Sequence, residues 1–348
     1  MNLIVSMAIS TISLLLGALG AWLVYKFAFS LGFIDMPCVR SSHKHPTPKG
    51  GGFGILLAFA LSSLILGITH FIWLPLVAIS IVSLIGDRID LSPMLRLFFQ
   101  FLVALLLVYT LLEKSPFISN IINRLSIYSM VVNISIGFLT TVFLVGTGNF
   151  YNFMDGINGI AAITGIVAFG FMAAHGYIEG CDERYIILCI ALSMACLGFL
   201  PFNFPVAKVF MGDVGSVLLG FTFASMALLM SNSIRSFFVT IGFLFPFYAD
   251  ELITMVERAR DGQSFIEPHR RHLYQVLANE ARLPHWKVSF AYGCFQLAGG
   301  IIFWLADSLG PIYLAAAMLI ILSIFLYINY KIKTIYTSCY QLSYGDRK

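Results

Sequence analysis

The chain has 348 residues, of which 59% are hydrophobic and only 11% charged. An average soluble domain is roughly 25% charged, so most of this surface is excluded from water, and we expect one integral membrane domain over 1–348 with its motifs in 35–275. A net charge of +4 is too modest to suggest a nucleic-acid partner, and six cysteines without CxxC pairing suggest neither a disulfide framework nor a zinc site.

A membrane helix needs about 20 apolar residues. That length predicts an all-α, polytopic chain with eleven spans: 3–25, 52–69, 72–86, 96–112, 127–146, 158–178, 185–201, 214–230, 236–255, 288–306 and 312–330. The first lacks a basic leader and a small-residue cleavage site, so it reads as a span and not a signal peptide. Eleven crossings place the loops 26–51, 87–95, 147–157, 202–213 and 256–287 and the tail 331–348 on one face. Of the 21 Lys and Arg, only Lys114, Arg124, Arg184 and Arg235 fall on the other. The positive-inside rule makes the first face cytoplasmic, with the N-terminus out and the C-terminus in.

Every cytoplasmic loop except the tail carries a dense polar motif. In chain order they read Asp35-Met-Pro-Cys-Val-Arg-Ser-Ser-His-Lys-His-Pro-Thr-Pro-Lys-Gly-Gly-Gly52, Gly86-Asp-Arg-Ile-Asp-Leu-Ser-Pro93, Asn149-Phe-Tyr-Asn-Phe-Met-Asp-Gly-Ile-Asn-Gly159, Phe210-Met-Gly-Asp-Val-Gly-Ser216 and Glu267-Pro-His-Arg-Arg-His-Leu-Tyr-Gln275. Asp87, Asp155 and Asp213 each sit near the cytoplasmic end of a span, where ionisable groups are costly and tend to be functional. Three carboxylates can converge only around a cation, and oxygen-only ligation suits Mg²⁺ or Mn²⁺ together with substrate phosphates. Asn152 precedes Asp155 by one helical turn and shares its face. Gly51 and Gly212 lie in turns that let backbone approach a phosphate. Arg40, His43, Lys49, His269, Arg270 and His272 supply groups for anionic oxygens. Lys44, Arg258 and Arg260 are explained by topology alone. Carboxylates for a cation, glycine turns and Arg/His clamps together describe phosphoryl transfer, and their place at the membrane surface makes one reactant a lipid.

As a set, Arg40–Gly52, Asn152–Gly159, Phe210–Ser216 and His269–Gln275 resemble the motifs of the polyprenyl-phosphate N-acetylhexosamine-1-phosphate transferases, glycosyltransferase family 4, in family order. The resemblance is closest to the branch that initiates O-antigen and other surface polysaccharides. It implies transfer of an N-acetylhexosamine 1-phosphate, from UDP-GlcNAc or a related 6-deoxy sugar nucleotide, to undecaprenyl phosphate with release of UMP. It also implies a Mg²⁺ requirement, a bacterial inner-membrane location with a cytoplasmic site, and a plausible homodimer. Carried over by position, Asp213 is a metal ligand, with Asn152 and Asp155 lining the metal and diphosphate site. Asp87 and Asp90 belong to the catalytic carboxylates, Lys49 to the lipid phosphate, and His269, Arg270 and His272 to the nucleotide sugar. The family shows an Asp-Asp pair where this chain has Gly86-Asp87, and Asn158 stands where an Asp often follows the Asp-Gly pair.

Three other readings carry less weight. The lipid I-forming phospho-MurNAc-pentapeptide transferase typically has ten spans and adjacent histidines in its last cytoplasmic loop, whereas here Arg270-Arg271 separate His269 from His272. A transporter or flippase calls for a polar path across the membrane, but the mid-span regions are almost free of charge. A non-catalytic relative is raised by Gly86 alone.

Overall fold

The computed structural model describes residues 3–37, 42, 45–89, 91–124, 130–264 and 270–344. Its helices are α1 (Leu3–Leu31), α2 (Phe53–Ile65), α3 (His70–Ile89), α4 (Pro93–Lys114), α5 (Pro116–Arg124), α6 (Met130–Met154), α7 (Ile160–Ile178), α8 (Glu183–Asn203), α9 (Asp213–Met230), α10 (Ile234–Gly242), α11 (Phe245–Arg260), α12 (Leu273–Gln275), α13 (His285–Leu309) and α14 (Pro311–Tyr344). A π-helical turn, Val276–Glu280, extends α12. The only strands among the described residues are β1 (Ile34–Asp35) and β2 (Thr47–Pro48). The protein is an all-α, multi-pass membrane protein.

Each of the eleven expected spans falls on a helix or helix pair. Among the described helices, nine are long and apolar enough to cross a membrane, and α10 with α11 would make a tenth. The expected span 236–255 is broken, because α10 and α11 meet at a bend of 84°. Pro246 lies in the first turn of α11 and has no N–H to donate, so the helix cannot run straight through. The Phe243 carbonyl at the break accepts from Gln296 Nε2 at 2.7 Å, which meets the demand that backbone polar groups in lipid be satisfied. The expected span 52–69 forms a helix only over the 13 residues of α2.

α9 is the axis of the bundle. Every residue after Asp213 is buried, as expected of a helix that is apolar on all sides and packed within protein. It lies against α6, where a Cβ on Gly220 would stand 2.8 Å from the Gly148 Cα. It lies against α3, where Ser80 Oγ donates to the Val214 carbonyl at 2.5 Å. α1 meets α8 and α2 through small residues: a Cβ on Gly198 would stand 2.0 Å from the Leu14 carbonyl oxygen, and one on Gly20 2.3 Å from the Gly54 Cα. Lipid offers little hydrophobic drive between helices, so such close backbone approach supplies the packing instead.

The two ends of the bundle differ. At one end Ser115 Oγ donates to Leu228 O at 2.6 Å and Arg235 pairs with Asp307 at 2.8 Å. The other end gathers the described parts of every polar motif. There β1 and β2 pair antiparallel, Ile34 opposite Pro48, closing the base of the first loop. The strand then zips onto the segment before α9. Phe210 N–H donates to Pro48 O at 2.8 Å, Gly51 N–H to Phe210 O at 2.9 Å and Gly52 N–H to Met211 O at 2.8 Å.

The α1–α8 contact makes a direct prediction. Gly198→Ala forces the helices apart, at a cost of ~1–3 kcal/mol for overpacking. It should lower the thermal midpoint in detergent by several degrees. Gly146→Ala, with nothing within 4 Å of the added atom, should leave the midpoint unchanged.

Candidate active site

The site is built on the start of α9. Gly212 adopts φ +74°, open to glycine at no steric cost, and a Cβ there would stand 2.7 Å from Asp87 Oδ2 and 2.9 Å from the Gly50 nitrogen. That close approach lets the fully buried Asp87 side chain, at the end of α3, reach across to α9. Asp87 Oδ2 accepts the Asp213 N–H at 2.9 Å, and Asp87 Oδ1 lies 2.7 Å from Lys49 Nζ. Lys49 Nζ is also 4.0 Å from Asp213 Oδ1. Burial alone would lower the Lys49 pKa, but the charges of Asp213 and Asp87 outweigh it and hold the ammonium above its ordinary value. Lys49 stays charged.

Arg96, in the first turn of α4, closes the cluster. Its Nη1 pairs with Asp213 Oδ2, its Nη2 donates to the Gly86 carbonyl at 3.1 Å, and its Nε donates to Leu91 O at 3.0 Å. Two carboxylates and two cations are therefore interleaved over α3, α4, α9 and the first loop.

Asn152 and Asp155 approach from the end of α6. Ser216 Oγ, one turn into α9, donates to Asn152 Oδ1 at 2.6 Å. Asp155 is near enough to feel the other carboxylates. Burial, then the charges of Asp213 and Asp87, push its pKa well above the usual range, with Lys49 opposing. Among the described residues no group of three His, Cys, Asp or Glu side chains is drawn together tightly enough to form a metal cluster. The donor set is nonetheless all oxygen and too acidic for its surroundings, which suits a hard divalent cation.

The last large loop joins the site through Tyr274. This tyrosine is buried, its hydroxyl donates to the Phe153 carbonyl at 2.8 Å, and a Cβ on Gly156 would stand 2.2 Å from that hydroxyl. Behind it lies a second buried acid, Asp250 of α11. It accepts from Leu273 N–H at 2.8 Å, Tyr274 N–H at 3.4 Å and Tyr292 Oη at 2.7 Å.

The structure thus joins Lys49, Gly51, Asp87, Gly212 and Asp213 directly, with Asn152 and Asp155 adjoining. Asn158 follows Asp155 by three residues, its Nδ2 3.4 Å from Pro205 O and its carbonyl accepting from Ser289 at 2.7 Å. Arg270 is half-buried at the head of α12. Arg40, His43, Asp90 and His269 lie outside the described residues. The His272 ring is buried, stacked on Tyr274, with Nε2 3.3 Å from Glu251 Oε2. Burial first, then the positive Lys333 and Arg258, lower its pKa to about 3.

Sequence reasoning missed Arg96, Asp250, Glu251 and the role of Tyr274. Arg96 is masked by the topological bias toward bases on this face. Asp250-Glu251 is an acidic pair inside the expected span 236–255, a signal of function in its own right.

The family model described as glycosyl transferase family 4 matches residues 69–231, which hold Asp87, Arg96, Asn152, Asp155 and Asp213. Over that stretch the chain is similar to glycosyl transferase family 4. The chain is 25% identical over 268 residues to a probable undecaprenyl-phosphate N-acetylglucosaminyl 1-phosphate transferase of Bacillus subtilis, covering 73% of the chain and 72% of the relative. It is 29% identical over 293 residues to a decaprenyl-phosphate N-acetylglucosaminephosphotransferase of Mycobacterium tuberculosis, covering 73% and 71%. It is also 30% identical over 240 residues to a phospho-N-acetylmuramoyl-pentapeptide-transferase of Prochlorococcus marinus, covering 64% and 66%.

Two predictions follow from this geometry. A Cβ on Gly86 would stand 3.6 Å from Arg96 Nε and 3.3 Å from Leu91 Cδ1, so an acid there meets the guanidinium. Gly86→Asp should draw Arg96 from Asp213 and lower turnover several-fold, which steady-state kinetics would reveal; a gain in rate would show instead that a missing carboxylate limits the enzyme. The second concerns His272, neutral in the fold until about pH 3 but protonated in the unfolded chain below about 6.5. The unfolded state then binds the extra proton, so the contribution of His272 to stability falls with pH, by about 2 kcal/mol between pH 7 and 5. Thermal unfolding of the parent and of His272→Phe, which keeps the stack, should show their stability difference shifting against the parent by about that amount over this range.

Proposed function

We propose that this transferase moves an N-acetylhexosamine 1-phosphate from UDP-GlcNAc, or a related 6-deoxy sugar nucleotide, to undecaprenyl phosphate and releases UMP. The reaction takes place at the cytoplasmic face of a bacterial inner membrane, as the first membrane step of a surface polysaccharide. The observation that carries the reading is the interleaved Lys49–Asp87–Asp213–Arg96 cluster, joined by Asn152 and Asp155, at the polar end of an apolar bundle. The names of the Bacillus and Mycobacterium relatives support the substrates.

In this transfer an oxygen of the lipid phosphate forms a bond to the β-phosphorus of the donor. The bond from that phosphorus to the bridging oxygen breaks, and UMP leaves with the electron pair. A phosphate monoester has a second pKa of about 6, so the nucleophile is already largely a dianion and needs no protein base. That agrees with an Asp87 whose oxygens are engaged by Asp213 N–H and Lys49. Asp87 instead fixes the start of α9, and so the direction of Asp213. Lys49 and Arg96 supply fixed positive charge for phosphate oxygens at the lipid boundary. Asp155, Asp213 and Asn152 would hold a divalent cation, Mg²⁺ or Mn²⁺, which when bound neutralises diphosphate oxygens.

The test is UMP release by purified protein given undecaprenyl phosphate, Mg²⁺ and a panel of UDP-sugars that includes UDP-GlcNAc and UDP-MurNAc-pentapeptide. UDP-GlcNAc or a 6-deoxy analogue should be used, chelation should stop turnover, and Asp213→Asn should cost at least about 100-fold. Asp90→Asn should be milder. Normal turnover by Asp213→Asn, or a preference for the pentapeptide donor, would overturn the assignment.

A further inference from the structure

We infer that Asp250 is a positioning residue for this reaction: from inside the bundle it fixes Tyr274, and through Tyr274 the turn that bears Asp155. The inference rests on the proposed transfer and adds to it a group remote from the reacting atoms.

A carboxylate buried within a membrane bundle is costly unless it is well supplied with donors. Asp250 is fully buried, and its donors come from two further parts of the chain: the backbone of Leu273 and Tyr274 at the head of α12, and the hydroxyl of Tyr292 in α13. One side chain of α11 thereby ties down both the returning loop and the next helix. α12 has only three residues before its π-helical extension, so little else in its own backbone sets its direction.

What α12 carries explains why direction matters. Tyr274 leaves Asp250 by its main chain and arrives at the site by its side chain, where the hydroxyl donates to Phe153 O two residues before Asp155. Its ring also fills the space a side chain at position 156 would need, one residue after Asp155. The ring and hydroxyl therefore bracket Asp155. Asp250 does not touch the Lys49–Asp213 side of the site, so its influence should fall on the donor sugar nucleotide and not on the lipid.

Asp250→Asn keeps the shape and one acceptor but turns an amide toward the remaining donors. With wild-type enzyme active, the variant should raise KM for the UDP-sugar about 10-fold and lower kcat, while KM for undecaprenyl phosphate stays unchanged. Tyr292→Phe, which removes one donor, should shift the same constant less. A purely structural cap would reduce the folded fraction, and so the apparent kcat, and leave both KM values alone; that result overturns the inference. A second measurement needs no turnover: 3-fluorotyrosine placed at position 274 should give one ¹⁹F resonance in the parent that moves or broadens in Asp250→Asn. An unmoved resonance overturns the positioning role even in an active enzyme. Absence of UMP release by wild type, with the resonance still shifted, overturns the proposed transfer and not the anchoring of Tyr274.

Discussion

Asp87 is the interaction on which the rest depends. It stands at the end of an apolar helix, fully buried, where an unpaired charge could not persist. It is stabilised by meeting two groups at once, the Lys49 ammonium and the first N–H of α9. Those contacts require the first loop to lie against the segment before α9 and require glycine at position 212. A single buried charge thus dictates the closure of a sheet pair, the course of two loops and the direction of Asp213. Arg96 completes the balance from the opposite side. At the polar end of the bundle Asp87 and Asp213 alternate with Lys49 and Arg96, so each of these two carboxylates has a cation beside it.

That end of the molecule was largely legible in the chain. Apolar stretches of sufficient length located the helices, because the hydrocarbon demands both length and internally satisfied backbone. The motif loops fell on one face because alternate connections of a multi-pass bundle must. Pairings between distant segments were another matter. Asp87 and Asp213 are 126 positions apart, and nothing local in either states that one caps the other. His272 shows the same gap: its place in a polar loop gave its order in the chain, but packing against Tyr274 and Glu251 decided that its ring points inward. The break between α10 and α11 was signalled by Pro246, yet an apolar window averages over a proline and reads one continuous span.

The two buried acids, Asp87 and Asp250, divide the labour of holding the site. Each sits on a bundle helix, and each accepts backbone N–H groups from a loop that returns to the polar end. Asp87 fixes the segment bearing Asp213, Asp250 the segment bearing Tyr274. Between them stands the Asn152–Asp155 turn, held to α9 by Ser216 and to α12 by Tyr274. Loops are ordinarily the mobile part of a fold; here their direction is set from within the rigid part.

The brevity of α2 bears on the membrane itself. Its 13 residues rise about 20 Å, against a hydrocarbon layer of about 30 Å. Its first turn is locked to the polar end by the contact of Gly52 with Gly215, so the whole shortfall is displaced to the opposite leaflet, at the exposed Gly67. The turn there closes its own hydrogen bonds, Gly67 N–H to Leu64 O at 3.2 Å and Ile68 N–H to Ser63 O at 3.0 Å, so a span this short is accommodated by a locally thinner bilayer beside α2, a lopsided lipid annulus.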